Sequence, residues 1–147
     1  MIAFILMIIM GLNNDSGTLQ SHLGPVLDEY FKVKDALVQG DNQAAYISSN
    51  KIVDFLETDH LFSDELIRAA GKLAASKNLE IQRAEFAGLG TILWKLVKEY
   101  EPYIGSLYYQ YCPMKKAYWL SKDAGIQNPF YGKSMLGCGI TEDRNGE

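Results

Sequence analysis

The chain has 147 residues, enough for one domain with its own core. Apolar residues make up 48% of it, which excludes a disordered composition. The net charge is −4 and the only basic cluster is the pair Lys115-Lys116, which excludes the massed cations that nucleic-acid phosphates require.

Met1 to Leu12 is an uncharged apolar run. It is shorter than the roughly 20 residues that span a bilayer, and it suits the apolar core of a secretory signal. No Lys or Arg precedes it and no Ala-x-Ala follows, so a buried N-terminal element is the competing reading. Asn13-Asn14-Asp15-Ser16-Gly17 reads as a linker. Residues 1–17 are thus expected to be leader and linker, and 18–147 one domain. The leader implies export, and any membrane contact would come through it alone.

Four helices are expected next. The first runs from about Gly24-Pro25 to Gln39, with Pro25 in its first turn and Gly40 as its stop. Val26, Tyr30, Val33 and Leu37 form its apolar face. The second starts at the cap Asp41 and fades at Thr58-Asp59-His60. Ala45, Ile52, Phe55 and Leu56 form its face, which Ser48 and Ser49 weaken. The third is short, capped by Ser63, with Asp64 and Glu65 at the positive end of its dipole and Leu66, Ile67, Ala70 and Leu73 as its stripe. The fourth begins after Asn78, keeps a three-four spacing through Phe86, Leu89, Leu93, Leu96 and Tyr100, and stops at Glu101-Pro102. Short connections favour antiparallel neighbours. The expected fold is therefore all-α, an antiparallel up-down four-helix bundle.

After Pro102 helical periodicity disappears and tyrosine and glycine crowd in. Leu107-Tyr108-Tyr109-Gln110-Tyr111 reads as extended, and Ala117-Tyr118-Trp119-Leu120 as a second short strand or turn. Asn128-Pro129 and Tyr131-Gly132 are turn signals. Residues 103–140 are expected to be a compact, largely irregular segment on the bundle, with at most a short β-hairpin.

That segment holds both cysteines. Cys112-Pro113-Met114 and Met135-Leu136-Gly137-Cys138-Gly139 each offer one thiol and one thioether, in mirrored order. Folding the segment back would unite four soft donors, a set that selects Cu(I) among biological metals. Zinc would want histidine, and His22 and His60 are remote in sequence. Two bland readings stand beside this one. Cys112 and Cys138 can pair as a disulfide, worth roughly 3–4 kcal/mol in the chain-entropy model. Met114 and Met135 can be ordinary core fillers. The spacing leaves these alternatives open.

At these residues the chain resembles a domain of unknown function found in exported Bacteroidetes proteins. The same domain forms the C-terminus of periplasmic adaptor subunits of copper/silver-type heavy-metal efflux pumps. The resemblance rests on Lys34-Asp35-Ala36-Leu37-Val38, Gln82-Arg83-Ala84-Glu85-Phe86, Tyr108 to Met114, Ala117-Tyr118-Trp119-Leu120-Ser121, Asn128-Pro129-Phe130-Tyr131-Gly132 and Met135 to Gly139. It implies periplasmic handling of Cu(I) or Ag(I) at Cys112, Met114, Met135 and Cys138, with an efflux adaptor or another envelope protein as partner. Two departures stand out. Only His60 lies between the second and third helices, where the family often has several histidines, and Phe130 replaces a tyrosine.

No catalytic residues emerge. Two scattered histidines do not suit general acid–base work. Gly132-Lys133-Ser134 lacks the earlier glycine of a phosphate-binding loop, because position 127 is Gln. Trp94 and Trp119 read as core anchors. Glu80 and Arg83 read as a helix-surface pair, with Arg83 reaching tail carbonyls as the alternative. The expected protein is not an enzyme. It is a heavy-metal handling domain or, alternatively, a metal-free, disulfide-stapled interaction module of the cell envelope.

Overall fold

The computed structural model describes residues 15–100 and 105–146. Its elements are α1 (Asp15–Gln39), α2 (Asn42–Thr58), α3 (Asp64–Ala74), α4 (Leu79–Glu99), β1 (Tyr108–Cys112), β2 (Ala117–Ser121), a 3₁₀ turn (Gly132–Met135) and β3 (Ile140–Arg144). The apolar run from Met1 to Leu12 and the Glu101-Pro102 stop lie outside the described residues.

The caps fall where the side chains require them. Asp41, Ser63 and Asn78 accept from the backbone N–H three residues on, in Ala44, Leu66 and Ile81. Gly40, at φ 76°, ends α1, with its N–H on the Leu37 carbonyl and that of Asp41 on the Ala36 carbonyl. One boundary differs from expectation. The α1 helix begins at Asp15, so Asp15 to Gly17 is helical and Pro25 sits inside the helix, not in its first turn. Ser and Gly in the linker masked helical continuity, and Pro25 removes only one backbone donor.

Successive helices pack on one another, and α4 also packs on β2. Val26, Tyr30, Val33 and Leu37 of α1 are all fully buried, as are Phe86, Leu89 and Leu93 of α4. On α2 Ala45, Ile52 and Leu56 are buried as expected, and Phe55 is not. Phe55 is 42% exposed, while Ser48 and Ser49 are buried. The Ser49 hydroxyl donates to the Ala45 carbonyl at 2.6 Å, which lets a polar residue go inside. Gln82, also fully buried, donates to the carbonyls of Asn42 and Ser76, both at 2.9 Å. It fastens the start of α4 to the start of α2.

The tail holds more structure than a hairpin. Strands β2, β1 and β3 form an antiparallel sheet with β1 in the centre. The third strand corrects the expectation of a largely irregular segment ending at residue 140. Its sequence, Ile140-Thr141-Glu142-Asp143-Arg144, is exposed at all but its last residue and pairs through its backbone, so no hydrophobic pattern announces it.

Tyr30 of α1 joins the two layers. Its ring stacks on Phe86 at 4.5 Å, and its hydroxyl accepts the Leu120 N–H of β2 at 3.1 Å. Burial raises its pKa well above the ordinary phenol range. Gly90 makes room for it, because a Cβ there would lie 2.8 Å from the Tyr30 hydroxyl. Trp94, Tyr109 and Tyr118 then stack in sequence, at 4.9 and 4.6 Å, between α4 and the sheet.

Candidate thiol site

Cys112 closes β1 and is fully buried. Cys138 stands just before β3 and is half-buried. The β1–β3 register places Tyr111 opposite Ile140, and this returns the chain beside Cys112. The Cys112 thiol acts on that of Cys138, so the two side chains are neighbours, and both are free thiols. Residues 26 positions apart in sequence thus become neighbours through the strand that the sequence did not announce. Burial first, then the charge and hydrogen bond of Cys112, raise the Cys138 pKa above the ordinary thiol range.

Gly139 makes this return path possible. It has φ 153°, and a Cβ there would lie 2.8 Å from the Trp119 ring and 3.0 Å from the Tyr111 carbonyl. Gly137 has nothing within 4 Å and meets no such demand.

Asn128 holds the loop that carries Cys138. It is fully buried, and its side chain accepts from the N–H groups of Phe130 and Tyr131 at 2.8 and 3.2 Å. The same amide donates to the Cys138 carbonyl at 2.7 Å. Asn128-Pro129 had been legible only as a turn signal. The Asx turn was implicit in it, but the reach to residue 138 was not.

Arg83 clamps the same loop from α4. Its Nε donates to the Pro129 carbonyl at 2.9 Å, one Nη to the Leu37 carbonyl at 2.9 Å, and the other to Glu80 at 3.3 Å. Both readings of Arg83 therefore hold together. Leu37 lies in the last turn of α1, where a cation also complements the helix dipole. Gly132 must remain small here, because at φ 58° a Cβ would lie 2.8 Å from both the guanidinium and the Val38 carbonyl. Gly132-Lys133-Ser134 is thus a packing turn.

The two methionines among the described residues are at the surface. Met114 rides the turn between β1 and β2 and is 64% exposed; Met135 ends the 3₁₀ turn and is 38% exposed. Neither is a core filler, which corrects that reading. The structure brings the two thiols together and leaves both thioethers open to solvent. His22 pairs with Asp59 and His60 is exposed. Among the described residues no group of three or more His, Cys, Asp or Glu is placed to hold a metal.

Trp94 and Trp119 are both buried anchors. Trp119 forms an edge-to-face contact with Phe130 and roofs the strand end beside the thiols.

No curated protein and no solved structure matches the chain. A family match spans residues 26–105, from the middle of α1 through α4, and stops before β1, so the thiol pair lies beyond it. That match covers more than half of the sequence, and the chain belongs to the family described as protein of unknown function (DUF3347).

Proposed function

We propose that the domain binds and hands on a soft monovalent metal ion, Cu(I) or Ag(I), through Cys112 and Cys138. The observation that carries this reading is that a buried and a half-buried free thiol, remote in sequence, are neighbours in the fold. Thiolates are the preferred ligands of such ions, and two can hold one without histidine or carboxylate. The exposed thioethers of Met114 and Met135 are soft donors at the surface, where an incoming ion would first be met. The metal is cargo, and the role is buffering or delivery with no bond-making chemistry. The four helices, packed in order with short connections, serve as an antiparallel up-down bundle that supports the sheet. The apolar leader fits export to the periplasm or envelope, with a metal-efflux adaptor or other envelope protein as receiver.

Titration of the reduced protein with Cu(I) against a competing chelator tests this reading. Binding that is lost in Cys112→Ser/Cys138→Ser supports it. Affinity that is unchanged in that double variant rejects it.

The same proximity favours a second reading, a metal-free interaction module whose tail is stapled by a Cys112–Cys138 disulfide. Thiol counting under non-reducing conditions separates the two. No free thiols in protein isolated from its own compartment supports the staple, and two free thiols support metal handling.

A further inference from the structure

Between the start of α4 and the β1–β2 turn lies an open cleft of about 370 Å³. Its apolar part is Ala84, Ala87, Ala117 and Phe130. Arg83, Lys115 and Lys116 bring three cations to it against the single carboxylate of Glu80. The cations differ in how they are held. Lys115 lies over the Tyr131 ring at 4.9 Å. Arg83 spends three of its five N–H donors on Pro129, Leu37 and Glu80, which leaves two. Lys116 makes no hydrogen bond or ion pair among the described residues. It also sits at φ 51°, the one non-glycine residue with positive φ among those described. A turn position of this kind normally takes glycine or asparagine, so a lysine there carries a backbone cost.

We infer that the cleft binds a small organic carboxylate, with the acid group at Lys116 and Arg83 and an apolar body against Phe130 and the alanines. The charge rejects cations. The apolar wall gives a body-bearing acid an advantage over a hydrated inorganic anion. The size suits a small ligand, since the cleft is near the lower end of the roughly 300–1,000 Å³ usual for such sites. The inference uses neither thiol and stands apart from metal handling.

Titration of the full chain with 3-phenylpropionate, followed through its backbone amide resonances, tests it. The expected result is saturable shifts centred on Ala84, Ala87 and Ala117, with inorganic phosphate and neutral 3-phenylpropionamide each weaker by about tenfold or more. Lys116→Gly suits the backbone at that position, so it should keep the thermal midpoint while weakening the acid by about tenfold. Ala87→Leu, which adds bulk to the apolar lining of the cleft, should also abolish the shifts, and shifts that persist in it would count against the inference. No saturation at millimolar acid, equal affinity for phosphate, or unchanged affinity in Lys116→Gly would each overturn the inference.

Discussion

Asn128→Ala is the sharpest probe of the loop that presents Cys138. The substitution removes three hydrogen bonds, of 2.7, 2.8 and 3.2 Å. It orphans the N–H groups of Phe130 and Tyr131 and the carbonyl of Cys138. Phe130 is buried, so its donor has no access to water, while Tyr131 is half-buried and can recover part of its loss. A buried polar group left unpaired costs about 1–3 kcal/mol. The Phe130 donor counted in full and the two groups on half-buried residues, Tyr131 and Cys138, counted at half give a loss of about 2–6 kcal/mol, a large share of the ~5–15 kcal/mol that holds a typical domain together. With a slope of about 2 kcal/mol per molar urea, the unfolding midpoint should fall by roughly 1–3 M. Cys138 should also react faster with a thiol reagent in native conditions, because its carbonyl anchor is gone. A midpoint within experimental error of the parent, or a lower midpoint with unchanged Cys138 reactivity, would refute the assignment of Asn128 as the support of that loop.

Gly90 and Tyr30 should be strongly coupled. Gly90→Ala alone places a Cβ 2.8 Å from the Tyr30 hydroxyl and should destabilise by about 1–3 kcal/mol in thermal or urea unfolding. In a Tyr30→Phe background the nearest remaining atoms lie at 3.6 Å, so the same change should be neutral or stabilising by up to about 1 kcal/mol. Additive effects would show that the hydroxyl is not the obstacle. The raised Cys138 pKa predicts an alkylation-rate profile whose inflection lies above that of free cysteine. In Cys112→Ala the inflection should move down but stay elevated, since burial, the largest cause, remains. A folded-state pKa above the unfolded one favours the folded form while the thiol is protonated. That contribution is lost as pH rises through the folded value, so stability should decline on the alkaline side, measurable as a falling thermal midpoint.

Helices were the part most legible in the sequence. Apolar spacing in α1 and α4 and the caps Asp41, Ser63 and Asn78 are local signals, and each element forms where its own residues direct. Misreadings arose where a neighbour outweighed local character. On α2 the line Ala45, Ile52 and Leu56 is buried with Ser48 and Ser49 beside it, and Phe55 lies off that line and is exposed. Pro25 lies within α1 because packing along the helix offsets one missing hydrogen bond.

The sequence by itself determined the soft-donor chemistry of the tail, the turn at Asn128-Pro129 and the extended habit of the tyrosine-rich run. It could not decide which sulfurs meet. The tertiary structure did so, because the β1–β3 register depends on backbone hydrogen bonds between residues with no shared pattern. Gly139 lets that pairing close over Trp119, and Asn128 and Arg83 tie the intervening loop to Cys138, α1 and α4. Two cysteines become a pair, and two methionines become surface groups, only once those long-range contacts are made.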